Sequence, residues 1–270
     1  MLTYESLIEQ ARSREMPPTK IRGILREYIQ ILIMKELYRT EEGKKICFTG
    51  GTYLRLVHKM KRFSEDLDFN SNTITKREFA ALLEKTRIEL RRINLDCRVE
   101  FSHFKNVYVS KVTFPGIEKE YGVISKYSKK KGIVIKVELN KMKYRIKKEI
   151  KVISGFGEFY PCVCTDRAIH FADKIDALVK KNRGRHIYDI MFMLSNKYPI
   201  DKSYLKFLKI KKDPLEVIAD RIKRYSNEEL RKQAEVLRPF LFDEKEADMV
   251  ENAKLVILPL IEQYSLIGQD

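Results

Sequence analysis

Two aspartates separated by one residue, Asp66 and Asp68, follow a glycine pair, Gly50-Gly51, and these are the residues whose types and spacing best suit chemistry. If Asp66 to Phe69 is a strand, Asp66 and Asp68 project from one face and Leu67 and Phe69 from the other. Carboxylates so close resist joint ionisation unless a cation lies between them. Mg²⁺ takes carboxylate together with substrate phosphate oxygens, and so suits the position. Upstream, Lys44 to Thr49 predicts a short strand and Thr52 to Met60 a helix. The Gly50-Gly51 turn between them leaves backbone N–H groups free at a helix N-terminus, where phosphate is favoured. Singly, the glycines are open to being only a turn and the aspartates only a solvated strand edge. Together they predict a site where metal and nucleoside triphosphate arrive as one.

Gly50-Gly51-Thr52, Leu54-Arg55-Leu56, Arg62-Phe63-Ser64 and Asp66-Leu67-Asp68, in that order, resemble the opening motif of the AbiEii/AbiGii-type toxins, nucleotidyltransferases of the DNA polymerase beta superfold. The resemblance implies an α+β fold: a polymerase beta-like mixed sheet with flanking helices and a helical C-terminal region. It also implies that Asp66 and Asp68 hold two Mg²⁺ ions, that Gly50, Gly51 and Thr52 bind the triphosphate tail, and that a third carboxylate lies on a later strand. Ser64 would anchor phosphate or orient the aspartate strand. Between Gly132 and Asn140 the apolar face is Ile133, Ile135, Val137 and Leu139, and Glu138 is the one acid on the polar face; the family more often carries aspartate there. Glu138 is then either the group that completes the metal site and helps accept a proton from the attacking hydroxyl, or a solvated edge residue.

A second constellation follows Thr165, a candidate N-cap. Ala168, Phe171, Ala172, Ile175, Leu178 and Val179 have the spacing of a buried helix stripe, with Lys174 on its edge. Lys174 either snorkels past the core or, as the resemblance implies, serves the triphosphate at its leaving group. Arg183 to Ile190 resembles the family's Arg-Asp-Leu-Tyr-Asp segment, with His186 where aspartate is usual. Arg185 and Asp189, four apart on this next helix, are open to two readings: a helical ion pair or support of the nucleotide site.

The elements that must position these groups read as follows. Pro17 to Leu37 is an amphipathic helix expected beneath the sheet, and Lys76 to Arg92 is another. Leu95 to Glu100, Val107 to Phe114, Gly132 to Asn140 and Lys147 to Ile153 read as strands. From Thr165 onward the periodicity is helical, so a change near Pro161 divides a catalytic core, residues 1–160, from a helical region, residues 161–270, expected to complete the nucleotide site. At 270 residues and 44% apolar content the chain has ample material for such a core. Its four cysteines follow neither a zinc spacing nor a disulfide framework. The N-terminus has no apolar signal core and no stretch is long enough to span a bilayer, so a soluble, cytoplasmic protein is expected.

The net charge is +16, from 54 basic against 38 acidic residues. The excess clusters at Lys126-Tyr127-Ser128-Lys129-Lys130-Lys131 and from Lys141 to Lys148, on both sides of the Glu138 strand. Lysines interleaved with tyrosine suit RNA, although lysine runs are also solvated loop surface or a mark of hot-living organisms. These features together predict an enzyme of EC 2.7.7 type that transfers a nucleoside monophosphate from an NTP to an acceptor, with RNA, tRNA in particular, as the expected acceptor. The resemblance adds the biology of a type IV-like toxin with a cognate antitoxin. Protein or small-molecule hydroxyls are the alternative acceptors, and a nucleotide- or RNA-binding module without turnover is the alternative class.

Overall fold

The computed structural model describes residues 1–123 and 132–266. It divides into two compact units, Met1–Thr165 and Asp166–Asp270. The basic run from Lys126 to Lys131 lies outside the described residues.

The first unit is built on a mixed sheet of strands β1 (Cys47–Thr49), β2 (Leu67–Ser71), β3 (Arg98–Phe104), β4 (Val107–Phe114), β5 (Ile133–Lys141), β6 (Lys148–Gly155) and β7 (Glu158–Thr165), in the order β3-β4-β5-β2-β1-β7-β6. β2 runs antiparallel to β1 and parallel to β5, so the two strands with the candidate carboxylates are neighbours at the centre of the sheet. Alternation sets their faces. Leu67, Phe69, Ile133, Ile135, Val137 and Leu139 are all fully buried, and helix α2 (Ile21–Tyr38) packs on the sheet, with the Tyr38 ring against Phe69. α2 is buried on most of its circumference because it also carries α1 (Tyr4–Ser13) and α4 (Lys76–Arg92). α4 starts at a capping box in which Thr75 and Glu78 satisfy each other's backbone N–H.

Sequence reasoning and structure agree closely for α4 and β4, and differ at β7. That strand was not expected, and Pro161, read as the boundary, stands in its middle. β1 is only three residues long and meets β7 at the single pair Phe48 and Cys164, so at Pro161 there is no β1 ladder to interrupt. Pro161, where the sequence pattern changes, therefore sits inside a strand that closes the first unit. The four cysteines are buried free thiols; Cys162 and Cys164 lie with their sulfurs 3.4 Å apart. Burial pushes the Cys47 and Cys97 thiols up to about 11, which leaves them poor nucleophiles near neutral pH.

The second unit is helical: α6 (Arg167–Lys180), α7 (Gly184–Ser195), α8 (Lys202–Phe207), α9 (Pro214–Lys223), α10 (Asn227–Leu237), α11 (Ala247–Glu251) and α12 (Ala253–Leu266), with a short α5 (Ile117–Glu120) left behind in the first unit. The α6 cap is Asp166, one residue later than expected, its carboxylate accepting from the N–H groups of Ala168 and Ile169. The buried stripe also turns further than the sequence reading placed it: Lys174 is inside, and Val179 is 41% exposed. Phe171, Lys174, Ile175 and Leu178 are the positions that repeat at three and four residues, and Val179 lies beyond them. No helix among the described residues is long and apolar enough to cross a membrane.

Candidate active site

The glycine pair opens helix α3 (Gly50–His58) directly after β1, so the expected strand-to-helix junction is present. Gly50 has φ +81°, in the region that favours glycine, and a Cβ there would stand 2.2 Å from Asp68 Oδ2. The backbone at Gly50 thus lies directly against the carboxylate, beside the Thr49 and Asp68 cross-strand pair. At Gly51 an added Cβ would meet Arg62 Nη2 at 2.8 Å and Ser64 Oγ at 2.9 Å. Gly50 therefore makes room for the Asp68 carboxylate, and Gly51 for Arg62 and Ser64.

That tripeptide is held from several sides. Arg62 is buried and donates to the Phe63 carbonyl at 2.9 Å, Gln30 of α2 donates to the Ser64 carbonyl at 3.0 Å, and Arg26 pairs with Glu65. Thr52 is fully buried and its hydroxyl donates to the Asp66 carbonyl. Its side chain fixes the backbone that presents Asp66, a positioning role that the sequence reading, which placed it on the triphosphate, did not contain.

Parallel pairing of β2 with β5 sets Asp68 beside Glu138 in register. Asp66, Asp68 and Glu138 are each half-buried. A residue that sequence reasoning left without a role joins them: Lys136 Nζ lies 2.8 Å from Glu138 Oε2 and 3.8 Å from Asp66 Oδ2. Burial lowers the Lys136 pKa, but the hydrogen bond to Glu138 and the charges of Asp66, Glu138 and Asp68 outweigh it and hold the ammonium above the usual lysine value. The signal for Lys136 was present in the alternation that put it on the same face as Glu138.

Among the described residues no three His, Cys, Asp or Glu side chains converge as a ready metal cluster. The donor set nevertheless suits a hard cation. It is all carboxylate oxygen, it comes from β2, the residue just before it (Asp66, which the expected strand includes) and the adjacent β5, and a positive charge already stands between two of its members.

In the second unit Lys174 and Asp189 form a buried pair, Nζ to Oδ2 2.7 Å, with 7% and 1% of each residue exposed. Lys174 is thus neither a snorkelling edge lysine nor a solvated one. Arg185 is half-exposed on the same helix as Asp189. His186 is buried beside this pair; loss of solvation, reinforced by the Lys174 charge, pushes its pKa down to about 3. It is a neutral imidazole where the family segment has an acid.

Comparisons with known proteins bear on the family and the fold. The family described as "Nucleotidyl transferase AbiEii toxin, Type IV TA system" matches residues 32–255. Among solved structures, JHP933 from Helicobacter pylori is similar at a TM-score of 0.56 and 16% identity, over 92% of this chain and 95% of that one. MenT4, a nucleotidyltransferase toxin of Mycobacterium tuberculosis H37Rv, is similar at 0.56 and 16% identity, over 95% and 99%. At that identity the likeness shows the fold. No protein of curated function matches the sequence.

Proposed function

The chain belongs to the AbiEii nucleotidyltransferase toxin family, and from that premise we propose that it moves a nucleoside monophosphate from an NTP onto a hydroxyl of RNA, with Mg²⁺ held by Asp66, Asp68 and Glu138. The acceptor oxygen forms a bond to the α-phosphorus, the bond from that phosphorus to the bridging oxygen breaks, and pyrophosphate leaves. The observation that carries this reading is the in-register pairing of Asp68 with Glu138 directly beside the Gly50 backbone. The start of α3, where backbone N–H groups favour phosphate, and the paired carboxylates then share one place on the sheet.

Bound Mg²⁺ would stabilise charge on the transferring phosphoryl group and favour the ionised acceptor hydroxyl. The chain's own residues do the rest. Gly50 and Gly51 present backbone N–H groups at the start of α3 toward anionic oxygens. Thr52 holds Asp66 in place, and Ser64, fixed through its carbonyl by Gln30, orients the segment leading into β2. Glu138 is the candidate acceptor for the hydroxyl proton. The assignment of Lys174, with Asp189 and Arg185, to the triphosphate rests on the resemblance of their segments to the family.

RNA as acceptor is supported by the +16 charge and by exposed Lys143, Arg145, Lys147 and Lys148 after β5. That connection is fastened by Asn72, which donates to the Met142 and Tyr144 carbonyls and accepts from Ile146 N–H, so its basic side chains project from a fixed backbone. The family's description as a type IV toxin supports a cognate antitoxin as partner.

The test incubates purified protein with each α-labelled NTP, Mg²⁺ and total cellular RNA plus protein, beside Asp66→Ala and Asp68→Ala. Label in a tRNA-sized band, lost in both variants, is expected. Label only in protein would move the acceptor to protein hydroxyls, and nucleotide binding without label would favour a module without turnover.

A further inference from the structure

Lys136 precedes Glu138 by two residues on β5, so both side chains stand on the carboxylate face of the sheet. The ammonium touches Glu138 at 2.8 Å and reaches Asp66 at 3.8 Å. It is anchored to a central strand whose alternate residues, Ile135 and Val137, are fully buried, so its Cα cannot move away from the site. The head group is a different matter. The Lys136 side chain is 37% exposed, and those of Asp66 and Glu138 are 31% and 26% exposed. Four flexible carbons at a solvent-accessible position allow the ammonium to leave without disturbing the sheet.

We propose that Lys136 is the resident cation of the carboxylate site: in the nucleotide-free protein its ammonium fills the place between Asp66 and Glu138, and a divalent ion must displace it to reach those oxygens. The proposal rests on the reading of Asp66, Asp68 and Glu138 as metal ligands. Two consequences follow from the geometry. One positive charge offsets part of the carboxylates' charge before any metal arrives, which lessens the like-charge repulsion between β2 and β5. Divalent ions also bind the free protein more weakly than three carboxylates alone would allow.

Mn²⁺ binding to the full chain without nucleotide, followed by isothermal calorimetry, tests this on wild type, Lys136→Met, Lys136→Arg and Asp68→Asn. Lys136→Met keeps the aliphatic length and removes the charge. It is expected to bind Mn²⁺ roughly two- to fivefold more tightly than wild type, the upper part of the range for loss of a partly exposed ion pair. Lys136→Arg, which keeps the charge, is expected to show no such gain. Equal or weaker binding by Lys136→Met, or the same gain in Lys136→Arg, overturns the proposal. If wild type and Lys136→Met bind equally and Asp68→Asn does not bind, the metal reading stands and the resident-cation proposal alone falls. If neither wild type nor Lys136→Met binds, the resident-cation proposal falls, and the metal reading falls with it if neither binds Mn²⁺ in the presence of a non-hydrolysable NTP either. Thermal midpoints of all four proteins in EDTA establish that each is folded.

Discussion

Gly50 is the residue at which backbone conformation and catalytic geometry meet most directly. Its φ of +81° disfavours any side chain, and a Cβ would collide with the carboxylate of Asp68 at 2.2 Å. Gly50→Ala is expected to lose about 1–3 kcal/mol of stability, the usual range for a strained backbone, and to lose nucleotidyl transfer almost entirely because Asp68 must move. Urea unfolding and the labelling assay measure the two separately; an active Gly50→Ala enzyme would show that the close approach is not needed. The buried Lys174–Asp189 pair poses a different question, whether it serves the fold or the reaction. Removing one partner strands a buried charge and costs about 3–5 kcal/mol, whereas replacing both with apolar residues of similar size is often neutral. Lys174→Met alone is therefore expected to destabilise strongly, and Lys174→Met/Asp189→Leu to regain most of the loss. If the double variant is stable and inactive, the pair acts in the reaction; if it is stable and fully active, the pair is structural.

Among the elements, α2 and α3 are joined to the rest of the first unit by a buried charge cluster. Glu27 of α2, 2% exposed, accepts from Arg55 Nε of α3 at 2.8 Å and from Arg14 Nη2 at 2.9 Å, while Arg55 also donates to the Met60 carbonyl and Arg14 to the Ser154 carbonyl of β6. Glu27→Gln removes the negative charge that the two guanidinium groups share and is expected to lower stability by about 3–5 kcal/mol in urea unfolding. A change under 1 kcal/mol would mean that the arginines find other partners. Arg55 was legible in the sequence only as the middle of Leu54-Arg55-Leu56, because nothing local signals a partner twenty-eight residues earlier. The same limit explains what else was hidden. Alternation revealed the faces of β2 and β5 and therefore Asp66, Asp68 and Glu138, and capping chemistry revealed α4. Strand order and register are long-range, so the sequence could not say that Asp68 and Glu138 would be adjacent, that Lys136 would bridge to Asp66, or that Pro161 would be tolerated beside a short β1.

For the whole molecule, charge is the property that decides between acceptors. Of the net +16 the first unit carries +14 and the second only +2, but basic residues of the second are locally gathered: Lys202, Lys206, Lys211 and Lys212 line one cleft, with Lys209 and the 48% exposed Phe207 in the same segment. Some of this charge is already compensated, since Lys212 pairs with Asp220 at 2.5 Å, but Lys206, Lys209 and Lys211 are exposed. A polyanion neutralised by such residues releases condensed counterions, so its affinity falls with salt by a logarithmic slope of roughly 0.7 per phosphate contact on a single strand. A small hydroxyl acceptor or a protein serine has no such atmosphere to release. Binding of tRNA is therefore expected to weaken steeply between low and physiological salt, measured by filter retention across a salt series. Lys206→Gln/Lys209→Gln/Lys211→Gln is expected to flatten that slope by about two units while leaving thermal stability within about 0.5 kcal/mol, since none of the three is buried. A slope near zero in the wild type would remove RNA as the acceptor and leave protein or small-molecule hydroxyls. A steep slope unchanged in the triple variant would place the RNA on the basic residues between β5 and β6 instead.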